Sequence, residues 1–381
     1  MTVDLVNGRV LTDKGFEEGL VVRIDGPRIV GLDRRRKTRS PTKTIDLDGR
    51  LLLPGFIDAQ VNGGGGVLFN DRPSVESIAE IGRVHRQFGT TAFLPTLVSD
   101  ELPVVLEAIE ATRDAIAAGV PGVLGIHIEG PFLNRDRRGI HDADKIRSLD
   151  DEAFELLTTP TGGKTLLTLA PEMTTPEMIR KLTRAGVIVS AGHSDATYED
   201  VRVAIRNGLS GFTHLFNAMS QLTVREPGVV GAALDDENCW CSIIADGHHV
   251  HPAVLRLALR AKGVDRFFLV TDAMPSVGTD LKSFNLLGKR ITVRDGYCRD
   301  EDGTLAGSNM DMATAVRNTV DLLGVDLAQA LRMASLNPAA FLGIESQQGW
   351  IAPGSRAAMI ISDDNLNVLE VWAAGERTAG P

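Results

Sequence analysis

The chain has only three cysteines in 381 residues, Cys239, Cys241 and Cys298, and no Cys-x-x-Cys spacing. That scarcity excludes a disulfide framework and a structural zinc ribbon. Also missing is any run of about 18 apolar residues, the length a helix needs to cross a bilayer. Low-complexity tracts and a secretory leader pattern are absent too, and the expectation is a soluble, cytoplasmic protein with no membrane partner. Positive charge is in deficit. A formal net charge of −10 argues against a broad nucleic-acid-binding surface, so no nucleic-acid partner is expected. The one basic run, Arg34-Arg35-Arg36-Lys37 near Pro41, reads as a solvated hairpin loop.

What the chain does have is regular. Eight apolar segments occur at 51–62, 90–99, 123–132, 165–172, 186–197, 211–219, 239–250 and 266–274, each running into glycine, proline or a polar residue. Helical patterns fill the intervals. Interiors of Leu, Ile, Val, Ala and Phe suit strands buried on both faces of a parallel sheet. The alternation predicts an α/β fold, a (β/α)8 TIM-like barrel, in which the C-terminal ends of all strands meet around one mouth. Glu129, His193, His214 and Asp272 all sit at such ends. A barrel alone needs about 250 residues, which leaves roughly 100 for additions. The N-terminal stretch carries short Val/Ile/Leu runs separated by Asn7-Gly8, Lys14-Gly15 and Asp25-Gly26, the turn signals of a small antiparallel sheet. The C-terminal stretch alternates in the same way. Neither end has enough apolar residues to fold alone, so both are expected to form one β-sandwich domain, 1–53 with 350–381, beside a catalytic barrel over 54–349. Residues 276–305 carry hairpin signals at Arg294-Asp295-Gly296 and Asp302-Gly303 and predict a β-excursion over the mouth.

Catalytic zinc commonly takes three protein ligands from His and carboxylates and keeps a position for water, whose pKa falls to about 7. Glu129, His193 and His214 supply such a set. Asp272 is placed to take a proton from that water and return it to a leaving group; its alternative is an N-cap for the following turn. One divalent metal per chain is expected, zinc first, with iron, manganese or cobalt also compatible with two imidazoles and a carboxylate. His127 alternates with Glu129 and so shares its face, as a partner beneath the ligands or a barrel-layer residue. His85 reads as a helix-surface residue. The run Gly63 to Gly66 lacks the Lys-Ser/Thr of a phosphate loop and reads as a close-packed or flexible loop at the barrel mouth. Cys239 and Cys241 read as inert core residues.

Across nearly the whole barrel, the stretches PGFIDAQVNGGGG (54–66), IHIEGPFLN (126–134), RRGIHD (137–142), AGHSDAT (191–197), THLFNAM (213–219), IADGHHV (244–250), VTDAM (270–274) and LAGSNM (305–310) resemble the amidohydrolase superfamily. The resemblance is strongest to its N-acetylglucosamine-6-phosphate deacetylases. One departure stands out. Many amidohydrolases end the first strand in His-x-His, which binds a second metal, whereas this chain has Gln60 and Asn62. These are vestigial second-metal positions, and the resemblance is to the mononuclear branch.

The resemblance implies hydrolysis of the N-acetyl group of N-acetylglucosamine 6-phosphate to glucosamine 6-phosphate and acetate, in amino-sugar catabolism or wall recycling. It implies that Asn217 and Ala218 contact the phosphate and that Arg225 reaches the phosphate of a neighbouring subunit in a homodimer. His141 would donate to the substrate carbonyl oxygen. His249 would contact sugar hydroxyls; it sits three residues after Asp246, as in the family motif, with His248 as the weaker alternative. Two other readings stay open: a deacetylase of another N-acyl sugar phosphate, such as N-acetylgalactosamine 6-phosphate, and a non-catalytic assembly protein built on the barrel.

Overall fold

The computed structural model describes residues 2–34, 43–294, 296–373 and 376–380. The basic run beyond Arg34 and the turn residue Asp295 lie outside the described residues. Eight parallel strands follow one another round the barrel: Phe56–Val61, Thr90–Val98, Gly125–Glu129, Lys164–Leu169, Ile188–Ala191, Gly211–Phe212, Trp240–Ile243 and Phe267–Leu269. Each pairs with its sequence neighbour. Closure comes from parallel bridging between Val61 and Ala273, with the Asp272 amide donating to Gln60 O at 3.0 Å. All eight expected segments therefore contribute a barrel strand. Helices between them are set by local signals. Ser74 caps Val75–Gln87, and Thr197 with Asp200 forms a capping box on Tyr198–Arg206. Proline stands in the first turn of Pro176–Arg184 and Pro252–Lys262, where its missing N–H costs nothing. No helix among the described residues is long and apolar enough to cross a membrane.

The first apolar segment holds two strands rather than one. Leu51–Pro54 leaves the barrel, pairing parallel with Arg9–Thr12 and antiparallel with Met359–Ser362. Only after Gly55 does the chain enter the barrel. This junction ties the two chain ends into a six-stranded sheet, which faces a four-stranded sheet of Thr2–Val6, Leu20–Asp25, Arg28–Arg34 and Lys43–Asp46. Leu5, Val22, Ile29, Leu52, Met359 and Trp372 are buried between them. The N-terminal part is mixed, not purely antiparallel: Thr2–Val6 pairs parallel with Lys43–Asp46. Lys14-Gly15 and Asp25-Gly26 do make hairpins, but Asn7-Gly8 passes the chain between sheets. Turn signals specify local antiparallel neighbours, and the long-range parallel pairs are decided by burial.

Inside the barrel a polar layer lies under the mouth. His127 bonds Thr96 Oγ1 at 3.3 Å and Thr168 Oγ1 at 2.8 Å; Thr168 meets Thr213 at 2.7 Å, and Thr213 donates to Ser190 at 2.8 Å. His127 thus belongs to a barrel layer. The excursion after the last strand is a four-stranded antiparallel sheet, Ser283–Leu286, Lys289–Arg294, Tyr297–Arg299 and Leu305–Ser308, packed on Leu286, Ile291, Cys298 and Ala306.

His85 is a correction. It is fully buried, and its Nε2 donates to Gly63 O at 2.9 Å. A Cβ on Gly64 would lie 2.9 Å from that same ring nitrogen, so the glycine run is a close-packed wall against which the helix rests. Ile78, Ile81 and Gly82 mark the buried stripe of this helix, and His85 continues it at i+3 and i+4.

Candidate active site

The strand ends turn their side chains into the mouth by strained backbone. His193, His214, Ala218 and Asp272 have φ of 50°, 35°, 49° and 51°, a left-handed conformation that costs non-glycine residues on the order of 1–3 kcal/mol each. Fixed partners hold this arrangement. Ser242 Oγ accepts the His214 amide at 2.7 Å, and Arg137 O accepts from His193 Nδ1 at 3.0 Å. The latter bond fixes the His193 ring through Nδ1 and turns Nε2 toward Glu129, where it would serve as a metal ligand.

Glu129, His193 and His214 form a buried cluster suited to a metal ion. Their ligand atoms are spaced for one ion. Donors about 2.0–2.1 Å from a tetrahedral centre lie roughly 3.3 Å apart. Here His214 Nε2 is 2.9 Å and His193 Nε2 3.4 Å from Glu129 Oε1, and the two nitrogens are 3.2 Å apart. Burial opposes ionisation of Glu129, but hydrogen bonds and charge from His193 and His214 outweigh it and hold the carboxylate well below its usual range. The donor set therefore fits a divalent cation.

Asp272 stands beside this cluster, lifted to about 6 by burial and by the charge of Glu129. Asn62 Nδ2 donates to its Oδ1 at 2.7 Å and Gln60 Nε2 to the same oxygen at 3.1 Å. Gln60 also reaches Glu129 Oε1 at 3.1 Å. The two amides are thus occupied as a clamp on the carboxylates, and the clamped Asp272 lines the cavity. Deeper on the same strand, Asp58 is raised to about 7 by burial and accepts from Thr271 Oγ1 at 2.5 Å.

His141 lies over the cluster, its Nε2 4.0 Å from Glu129 Oε2. Burial pushes its pKa down to about 3, which makes the ring neutral. Its Nδ1 meets Ser99 Oγ at 2.7 Å and accepts from the Ser99 amide at 3.4 Å, so the proton sits on Nε2. His249 lines the cavity and is oriented by Asp246, whose Oδ2 is 2.6 Å from Nδ1. His248 is exposed and packs its ring 4.7 Å from Tyr297, and His251 caps a helix. Asn217 and Ala218 line the cavity, with Asn217 Nδ2 already donating one proton to His214 O at 2.9 Å.

Arg225 is the residue one chain does not bring to the site. It is exposed on a loop with Leu222 and Val224, which are 57% and 99% exposed. Ser99 escapes the sequence reading, and Asp246 enters it only as the marker for His249, not as its partner. Ser99 and Asp246 follow strand ends, the position that marks the others, but serine and aspartate are too common there to stand out alone. All three cysteines are buried, with Cys241 and Cys298 pushed up to about 12 by burial, in keeping with the core reading of Cys239 and Cys241.

A closed parallel barrel with a buried Glu-His-His cluster at its C-terminal mouth defines a metal-dependent hydrolase. The chain belongs to the amidohydrolase family, whose model matches residues 51–378. It is 45% identical over 374 residues to an N-acetylgalactosamine-6-phosphate deacetylase of Shewanella sp., covering 97% of this chain and 94% of that one. It is 35% identical to an N-acetylglucosamine-6-phosphate deacetylase of Haemophilus influenzae, with 99% of each covered. Among solved structures, the N-acetylglucosamine-6-phosphate deacetylase of Pasteurella multocida superposes with a TM-score of 0.96 at 36% identity over 100% of both chains. A mutant of the Mycobacterium smegmatis N-acetyl-D-glucosamine-6-phosphate deacetylase, in complex with N-acetyl-D-glucosamine-6-phosphate, has a TM-score of 0.90 at 31% identity, with 99% and 98% covered.

Proposed function

We propose that this chain removes the acetyl group of an N-acetylhexosamine 6-phosphate, with the galacto epimer as its better substrate. The observation that carries the reaction is the pairing of the Glu129, His193 and His214 cluster with an Asp272 that lines the same cavity and is clamped through its Oδ1. The galacto preference is supported by the Shewanella relative, ten percentage points more similar than the Haemophilus one (45% against 35%). The gluco epimer expected from sequence is the second reading, favoured by the shape match to the Pasteurella enzyme.

A divalent ion held by Glu129, His193 and His214 would polarise the acetyl carbonyl and acidify a water. Asp272 takes the proton of the attacking water as its oxygen bonds to the carbonyl carbon. His141 Nε2–H donates to the carbonyl oxygen as it becomes negative, a contribution of about 3 kcal/mol in comparable hydrolases. When the C–N bond breaks, Asp272 passes its proton to the sugar nitrogen, and acetate leaves. His249, fixed by Asp246, orients the sugar through its hydroxyls. Asn217, the Ala218 amide and Arg225 of a second copy bind the phosphate.

The test is acetate release from both N-acetylhexosamine 6-phosphates and their unphosphorylated sugars. Two charge-assisted hydrogen bonds at about 1.5–3 kcal/mol each give the phosphorylated sugars an advantage on the order of 10²–10⁴ in kcat/KM. One hydroxyl contact gives the preferred epimer about tenfold. Equal turnover with and without phosphate would overturn the substrate class, and a gluco preference would reverse the order of the two readings.

Arg225 in trans has its own test. Chains carrying Arg225→Ala and chains carrying Asp272→Asn should each be nearly inactive alone, yet regain activity when mixed and allowed to exchange. The hybrid dimer then has one site with an intact Asp272 and an Arg225 from its neighbour. A mixture no more active than its parts would place Arg225 elsewhere.

A further inference from the structure

We propose that Arg299 is a second phosphate anchor of this active site, supplied by the same subunit that holds the reacting groups. The inference rests on the sugar-phosphate reading above. It starts from the strand Tyr297–Arg299 of the excursion, where side chains alternate between faces. Cys298 is buried among Leu286, Ile291 and Ala306, so Tyr297 and Arg299 share the opposite face. There the Arg299 guanidinium carbon lies 4.4 Å from the centre of the Tyr297 ring, and that ring packs on His248. Arg299 lines the same cavity, about 470 Å³, as the metal cluster, Asn217 and His249.

The guanidinium is held but not satisfied. Stacking engages its flat face and leaves the N–H groups in the plane free to donate. Its Nε is buried with no hydrogen-bond partner among the described residues. Two nearby carboxylates, Asp300 and Asp246, are engaged elsewhere. Asp300 next to it accepts from the amides of Asp302 and Thr304 and pairs with Lys289. Asp246 holds His249, and the other arginine of the cavity, Arg137, is paired with Asp195 at 2.8 Å. A buried donor without a partner is costly, and an arginine fork fixed by an aromatic face matches two oxygens of a phosphate dianion. The phosphate would then be gripped from both sides, by the loop after the sixth strand and by the excursion.

The experiment compares Arg299→Gln and Arg299→Lys with the wild type, using phosphorylated and unphosphorylated N-acetylhexosamines and inorganic phosphate as a competitive inhibitor. For Arg299→Gln the expected result is a KM for the phosphorylated sugar raised about 10–100-fold, kcat changed less than about threefold, and an equally weakened phosphate Ki. The unphosphorylated sugar should be handled as before, and Arg299→Lys should recover part of the loss. Metal content and thermal midpoint are measured on each variant to establish folding. An unchanged KM in Arg299→Gln, or an equal effect on both sugars, overturns the inference while leaving the substrate reading intact. A wild-type enzyme indifferent to the phosphate overturns the substrate reading and the inference with it.

Discussion

Replacing Asp272 by Asn is expected to lower kcat by about 10²–10⁴, the usual contribution of a positioned acid–base group, while metal content stays at that of the wild type and KM changes little. The geometry makes this substitution unusually informative. Asn62 and Gln60 both donate to Oδ1 of Asp272. An asparagine there must turn its carbonyl oxygen toward these two donors, because its NH2 would otherwise face two others. Its NH2 then points into the cavity, placing a donor where the reaction needs an acceptor. Shape, burial and the clamp are retained, and only the proton acceptor is lost. Steady-state kinetics with metal analysis on the same sample check this. Near-normal kcat would show that another group moves the proton.

The clamp also shows where a sequence reading stops. Barrel, metal cluster and Asp272 are legible because each strand is an apolar run of the right length that ends in a chemically distinctive residue, and the barrel topology alone gathers those ends. Gln60 and Asn62 are legible as positions but not as contacts. The family resemblance singles out their positions, yet the bonds they make to Glu129 and Asp272 span 69 and more than 200 residues and depend on barrel closure. His85 failed for a different reason. Histidine is mostly found in polar settings, and what buries it is a carbonyl of the glycine run, invisible to helical periodicity read without its neighbour. The first apolar run, taken as one strand, is divided at Gly55 between two sheets, because hydrophobicity is the same on either side and only pairing tells them apart. Arg299 sits in a stretch whose hairpins and place over the mouth are readable, but which of its side chains line the cavity is not.

Glu129→Gln should have the opposite signature to Asp272→Asn: loss of the metal first and of activity as a consequence. In the wild type, a carboxylate and two neutral imidazoles would leave a divalent ion with one net positive charge in a buried site. With an amide in place of Glu129 the same ion would keep both charges, and burial of uncompensated charge is strongly unfavourable. The amide is also the poorer ligand. Changes one layer further out typically weaken metal sites about 10–100-fold, so loss of the charged ligand itself should exceed that. After dialysis against a chelator that leaves the wild type loaded, Glu129→Gln should hold far less than one metal per chain, and high concentrations of divalent ion should restore only part of its turnover. Retention of a full complement would mean that the cluster is not the metal site. If Asp272→Asn lost its metal as well, Asp272 would be a ligand as much as a base, and its Oδ2 would be directed at the ion rather than at the water alone.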